Sequence, residues 1–332
     1  MVASTPPRGI FVPVPTFFAP TTASSTHDIA TPPLAIATQS EHAVYLAKSG
    51  IKGLVLLGST GEAVHITAAE RKAMISGVRA ALDSAGFPNY PLMAGTAANG
   101  IEETAEMLRE SDAAGAQWGL VLAPGYFASA VTQEGVVRWF KAVADRSPIP
   151  VLVYHYPGVS NNIALPPSTL EKLAEHPNIV GCKLSHGNLD DLALIALSPR
   201  AKDFVVYTGL GQMLLPAVTI GAAGAIDGLA AFFPKTVVRI FNTFEDGTGA
   251  EGAKLAELRR LQYLVAAGEK MVAKWGVVGV KEGVRRLRGI GAVDGEAVVA
   301  RAPLGGGFGL DEAEWAKWAR AMAALEEVEQ KL

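Results

Sequence analysis

Lys183 ends the apolar run Asn178-Ile179-Val180-Gly181-Cys182, which reads as a buried β-strand. An ammonium taken out of water costs several kcal/mol unless it is paired or gives up its proton. Desolvation lowers the pKa of such an amine, and a neutral amine can attack a carbonyl and form a Schiff base. A lysine at a strand end that merely reaches solvent is the plainer reading, and on Lys183 alone it is favoured. Two further strand ends shift the balance. One carries Gly58-Ser59-Thr60-Gly61-Glu62 and the other Tyr154-His155-Tyr156-Pro157.

Together these residues have a chemistry in common. A lysine amine attacks the ketone of a 2-oxo acid and gives an imine. The protonated imine accepts electrons, so a carbon–carbon bond one position further out can break or form. Gly58-Ser59-Thr60-Gly61 offers backbone N–H groups and two hydroxyls to the substrate carboxylate, and Gly61 lets the backbone come close. A tyrosine beside the amine can pass protons among the carbinolamine, the alkoxide and the aldehyde.

Each residue also has a plainer role. A glycine-rich turn after a strand is usually only a turn. Tyr154 could pack the barrel top, Glu62 could brace its loop, and Tyr126, in Ala123-Pro124-Gly125-Tyr126-Phe127, could be an exposed loop aromatic. His65, His155, His176 and His186 show no metal-ligand spacing; His186 lies near the expected mouth, where substrate would pass. Asp190 and Asp191 read as caps of the helix that follows.

Positioning these groups requires a large core. The chain has 332 residues, 49% hydrophobic and 18% charged, enough for one sizeable buried interior. Net charge is −3 with no basic stripe, which argues against nucleic acid. The single cysteine, Cys182, excludes an internal disulfide and a cysteine metal cluster and reads as a small buried hydrophobe. No apolar run is long enough for a bilayer, and residues 1–8 have no apolar signal core. The expectation is a cytoplasmic protein without a membrane partner, with a mitochondrial address left open. Residues 20–33 read as a Ser/Thr/Pro-rich surface loop.

Strands are expected at 10–15, 53–57, 92–94, 118–122, 151–154, 179–183, 204–207 and 225–227. Helical patterns fall at 68–82, 102–114, 132–144, 167–175, 189–197 and 212–219. The first opens on Thr67 with Glu70 three residues on, a capping-box spacing. Eight β–α repeats with continuously apolar strands predict a closed parallel barrel, a (β/α)8 TIM barrel. An open doubly wound sheet would begin with a glycine-rich phosphate turn, whereas strand one is followed by Thr16-Phe17-Phe18 and a long loop. Helices at 233–244, 251–267, 277–287 and 311–332 form a C-terminal extension. The expected division is a barrel over 1–232 and a helical region over 233–332. In such barrels reactive groups project from the C-terminal strand ends. The ends of strands two, five and six are close enough for Ser59, Thr60, Tyr154 and Lys183 to share one pocket.

These motifs, in this order and spacing, resemble the dihydrodipicolinate synthase / N-acetylneuraminate lyase family of class I aldolases over roughly residues 7–267. The resemblance implies a barrel with a C-terminal helical region, no metal and no organic cofactor. It implies Lys183 as the Schiff-base residue, Tyr154 as the proton-handling phenol and Ser59 as its relay. Ser59, Thr60 and Gly61 would hold the pyruvyl carboxylate, and Ile226 in Gly224-Ala225-Ile226-Asp227 would line the site. Tyr126 would reach a neighbouring subunit's site, which implies a homodimer or homotetramer.

Within that family, the synthases carry an arginine shortly after the tyrosine–proline motif, where this chain has Val159. A valine cannot replace a guanidinium's two-pronged grip on a carboxylate. Sialate lyases carry acidic residues after strand seven, where this chain has Gly209-Leu210-Gly211-Gln212. The stretches Arg146-Ser147-Pro148-Ile149-Pro150-Val151 and His176-Pro177-Asn178-Ile179-Val180-Gly181 look most like 4-hydroxy-2-oxoglutarate aldolases. The expected function is a pyruvate-dependent aldolase acting on that compound or on a 2-keto-3-deoxy sugar acid, with a 2-oxo acid and an aldehyde as its small-molecule partners. The alternatives are synthase or dehydratase chemistry through the same imine, and a catalytically silent barrel that binds 2-oxo acids. A pyridine-nucleotide enzyme is disfavoured by the missing glycine fingerprint.

Overall fold

The structure is a computed structural model that describes residues 3–19, 30–247, 252–291, 300–304 and 311–332. Most of the Ser/Thr/Pro-rich segment expected as a loop lies outside the described residues. Eight strands, β1 (Gly9–Pro13), β2 (Gly53–Leu56), β3 (Leu92–Thr96), β4 (Trp118–Leu122), β5 (Val151–His155), β6 (Ile179–Leu184), β7 (Val205–Thr208) and β8 (Gly224–Ile226), pair in sequence order. All pairs are parallel, and β8 closes on β1 through Gly9–Gly224 and Phe11–Ile226. The strands are largely apolar because one face fills the barrel and the other lies under helices, and Thr96, His155, Lys183 and Thr208 fall at or near their C-terminal ends. Phe11, Val55, Met93, Leu120, Leu152, Tyr154, Tyr207 and Ile226 pack together inside.

One irregularity decides where Lys183 points. The β5–β6 register runs Val151 to Ile179, then jumps to Leu152 opposite Gly181. Val180 is therefore an extra residue, a β-bulge. Ile179, Cys182 and Leu184 pack outward with Val153 and Val206, whereas Val180 packs inward with Leu152 and Tyr154. Strict alternation from Val180 would turn Lys183 outward. The bulge resets the alternation by one residue, as bulges beside active sites do, and places Lys183 level with Tyr154. Gly181 makes the bulge possible, because a Cβ there would sit 2.4 Å from Val205 O.

Helices α1 (Ile36–Lys48), α2 (Ala68–Ser84), α3 (Ile101–Ala113), α4 (Gln133–Arg146), α5 (Pro167–Leu173), α6 (Leu189–Ala196) and α7 (Leu214–Thr219) fill the crossovers. α2 opens on the expected Thr67/Glu70 capping box. α1 corrects the sequence reading, which placed only a loop between the first two strands. Its buried face carries Gln39 and His42 among Ala43, Leu46 and Ala47, which obscures the apolar period. Each has one partnered atom: Gln39 Oε1 accepts from Phe17 N at 3.2 Å, and His42 Nε2 lies 2.8 Å from Ala231 O. The cap of α6 is likewise Asn188, whose Oδ1 accepts from Asp190 N and Asp191 N, rather than the two aspartates themselves. A carboxamide two residues before Asp190 already meets the first free N–H groups, and the acids sit in the first turn where the helix dipole favours them.

α8 (Pro234–Glu245) packs on β1 and α7 and takes the place of the eighth barrel helix. α9 (Gly252–Arg288) runs through the gap expected at 268–276 and breaks only at Gly276, where φ is +53°. Gly268 lies inside the helix, and a Cβ there would meet Leu325 at 2.7 Å, so it permits a close helix contact. α10 (Glu312–Ala316) and α11 (Ala319–Glu329) complete the tail, with α11 packed on α8 and α9.

The bulge gives a direct test. Gly181→Ala drives a methyl into the β7 backbone, and overpacking of this kind costs about 1–3 kcal/mol. Urea denaturation should show a correspondingly lower midpoint. An unchanged midpoint would mean that β6 accommodates a Cβ at the bulge and that glycine is not what holds Lys183 in register.

Candidate active site

The ends of β5 and β6 set two side chains side by side. Lys183 Nζ donates to Tyr154 OH at 3.4 Å and lies 4.4 Å from the centre of the phenol ring. Tyr154 OH in turn lies 3.1 Å from Ser59 Oγ, beyond the end of β2. Lys183 is only 4% exposed. Burial lowers its amine to about 7, partly offset by the attraction of Asp227. At neutral pH a large fraction of the amine is therefore uncharged and nucleophilic. Burial raises the Tyr154 phenol to about 12, against the hydrogen bond from Ser59. The phenol thus keeps its proton at neutral pH and is a donor that can give and recover it.

The Ser59–Thr60 loop is held in place from both sides. Leu57 and Glu62 bracket it at φ +58° and +53°, a conformation that costs of order 1–3 kcal/mol for residues other than glycine. Gly95 of β3 makes room for it, since a Cβ there would sit 2.3 Å from Leu57 O. Thr16 Oγ1 donates to Gly61 O at 2.7 Å, and Glu62 N donates to Ser59 O at 3.1 Å. The buried Glu62 carboxylate pairs with Lys281 of α9 and with His65 at 3.1 Å. Arg301 adds bonds to His65 O and Glu70. Glu62 therefore braces the loop, and the brace comes from the C-terminal region.

The remaining expected site residues divide. Ile226 is fully buried in the barrel interior. Tyr126 stands apart from the lysine: it is 73% exposed, its ring packs edge-on against Phe127 at 4.9 Å, and its N–H donates to Asn99 Oδ1. His155 is buried with Nε2 accepting from Leu165 N, and its ring lies 4.7 Å from that of His186. Val159 is exposed in the turn after β5. Asn161 ties that turn to Gly125 O at 3.1 Å. Burial raises the Cys182 thiol, which faces away from the barrel interior. Among the described residues no three His, Cys, Asp or Glu side chains gather as a metal site would require.

Sequence reasoning passed over three groups here. Ser185 Oγ is buried and faces the Tyr154 phenol, with no well-formed hydrogen bond. It lies at the open face of Gly209, where a Cβ would meet Ser185 Oγ at 1.8 Å and Lys183 Cε at 2.9 Å. Asp227 and Glu269 are both buried and lie together behind the lysine. Asp227 is visible in the quoted Gly224-Ala225-Ile226-Asp227 motif. Glu269 falls on the apolar face of α9 with Leu261, Val265 and Met271, where an acid is a signal by itself.

Known proteins carry the same architecture. Residues 33–294 match the Dihydrodipicolinate synthetase family. A protein of Emericella nidulans named "Probable 4-hydroxy-2-oxoglutarate aldolase, mitochondrial" is 37% identical over 283 residues, 85% of this chain and 86% of its own. The L-threo-3-deoxy-hexylosonate aldolase of Hypocrea jecorina is 35% identical over 292 residues, 86% of this chain and 88% of its own. Among solved structures, the Escherichia coli K12 prophage protein YagE, in complex with pyruvate, matches with a TM-score of 0.80 at 25% identity. That match covers 96% of this chain and 98% of YagE. No helix among the described residues is long and apolar enough to cross a membrane. The chain belongs to the dihydrodipicolinate synthetase family.

Proposed function

We propose that this protein is a class I aldolase that makes or breaks a carbon–carbon bond between pyruvate and an aldehyde through an imine on Lys183. The observation that carries the reading is the buried chain Lys183 Nζ to Tyr154 OH to Ser59 Oγ, with steps of 3.4 Å and 3.1 Å. The neutral amine attacks C2 of the 2-oxo acid, and loss of water leaves a protonated imine. Removal of the C4 hydroxyl proton lets the C3–C4 electron pair move toward the iminium nitrogen, releasing the aldehyde and leaving an enamine. Protonation at C3 and addition of water return pyruvate and the free amine. Tyr154 carries these protons with Ser59 as its relay, and Ser59, Thr60 and the Gly61 backbone hold the carboxylate.

The substrate we assign is 4-hydroxy-2-oxoglutarate or a 2-keto-3-deoxy sugar acid. Support comes from the activities in the names of the two relatives; Val159, uncharged where a synthase grips a second carboxylate, speaks against the synthase substrate and, of the two assigned, favours the sugar acid, which has only one carboxylate. A pyruvate-release screen over hydroxyoxoglutarate, several deoxy sugar acids and sialate tests the assignment. Release is expected from one of the first two classes, with Lys183→Ala inactive on all. If the screen finds only condensation or dehydration products, the synthase or dehydratase reading replaces this one.

Tyr154→Phe keeps the ring and removes the hydroxyl. The expected fall in kcat is about 10²–10⁴-fold, the range for one positioned acid–base group. An unchanged kcat would reduce Tyr154 to packing.

We assign Tyr126 to the active site of a second copy, in a dimer or tetramer. Supporting this, Tyr126 and Phe127 leave two aromatics in water beside a cavity of about 640 Å³ lined in part by Asn99, Val131, Arg138 and Trp139. An isologous contact would make the exchange reciprocal. Mixing inactive Lys183→Ala chains with Tyr126→Phe chains should restore activity, because a mixed dimer holds one site with both residues intact. No recovery after demonstrated subunit exchange would contradict the shared site.

A further inference from the structure

We propose that Asp227 and Glu269 are positioning residues for the reaction: a carboxyl pair that holds one proton between its two groups, and whose single negative charge is the counter-charge of the Lys183 imine. This rests on Lys183 being the imine residue, and it adds the C-terminal helix α9 to the machinery.

The geometry begins at β8. Asp227 follows the strand, is wholly buried, and donates its N–H to Phe11 O at 2.9 Å. Its carboxylate accepts from Leu229 N at 3.4 Å and Ala230 N at 3.3 Å. Leu229 N also donates to Glu269 Oε1 at 3.2 Å, so one N–H is shared between the two acids. The two carboxyl groups therefore meet at one N–H, each buried beside the other. Two like charges buried this close repel, so one carboxyl keeps its proton. Glu269 is the group that holds it, since burial and the adjacent Asp227 charge push its carboxyl well above the usual carboxylate range.

The lysine lies across a short loop from this pair. Gly209 presents its open face to Lys183 Cε, and Gly211 presents its own to the Asp227 carboxylate, with a Cβ position 2.6 Å from Oδ1. Two glycines with one residue between them therefore let both charged groups press against the same turn. Asp227 attracts the Lys183 ammonium, and the same attraction would favour the protonated imine. A fully charged pair would overcompensate one buried cation. A singly charged pair matches it.

α9 fixes this arrangement. Gln262 Nε2 donates to Gly211 O at 3.0 Å, and Gln262 Oε1 accepts from Leu215 N at 2.7 Å. Glu269 lies seven residues further on the same helix, two turns away on the same face. Among the described residues the ionisable groups facing the cluster are Tyr154 from β5, Lys183 from β6, Asp227 just after β8 and Glu269 from α9; the turn Gly211-Gln212-Met213 brings none.

The experiment reads imine formation on Lys183 by cyanoborohydride trapping with pyruvate as a function of pH, in the full-length protein. Wild type should show a rising limb as the amine loses its proton. Asp227→Asn removes the attraction that retains this proton, so the limb should move down by about 0.5–1 pH unit, with a several-fold lower kcat. Glu269→Gln copies a neutral acid, keeping both a donor and an acceptor. Its limb should coincide with wild type, and the protonated-carboxyl band in the infrared spectrum should vanish. An unmoved limb in Asp227→Asn overturns the counter-charge. A shifted limb in Glu269→Gln, or no protonated-carboxyl band in wild type, overturns the shared proton, and these two readouts still decide if Asp227→Asn fails to fold. If wild type is not trapped at Lys183 at all, the aldolase reading fails instead.

Discussion

A lysine amine removed from water must find a counter-charge, give up its proton or react. Lys183 is placed where all three are within reach. Everything around it follows from keeping one amine buried yet reactive. Burial brings the amine to about 7, and Asp227 keeps it from falling further. The phenol 3.4 Å away stays protonated because it is buried too. A more exposed lysine would stay charged and inert at neutral pH. A buried lysine with no nearby anion would bind its proton too weakly to keep the imine protonated.

That placement depends on a single extra residue. The Val180 bulge turns Lys183 into the barrel and Cys182 out of it, and Gly181 gives the bulge room against β7. From there the dependence spreads outward. The Ser59–Thr60 loop after β2 keeps two left-handed residues, Leu57 and Glu62, because Lys281 and the Gly95 gap hold them there. Lys281 and Glu269 both belong to α9, on either side of its break at Gly276. The C-terminal helix is thus wedged under the site at two points, rather than appended to the barrel.

The barrel and the core of the site were legible in the sequence because each strand is a continuous apolar run closed by a chemically unusual residue. Lys183, Tyr154 and the Ser59–Thr60 loop could be recognised without any knowledge of packing. The bulge could not, since a run such as Ile179-Val180-Gly181-Cys182 carries no alternation whose break would show. α1 was missed because its buried face includes Gln39 and His42, whose partners lie far off in the sequence. Asn188 is hidden as the α6 cap because Asp190 and Asp191 beside it are equally suited by residue type to a helix N-terminus. Glu269 and Lys281 are tertiary facts: a charge on a long helix gives no sign of what it meets until the helix is docked.

The most direct test of the account is where pyruvate attaches. The protein is reduced in the presence of pyruvate, digested and mapped by mass spectrometry. The account predicts one pyruvyl adduct per chain, on the peptide that contains Lys183. An adduct on another lysine, such as Lys172 or Lys202, or no adduct in a folded protein, would contradict it.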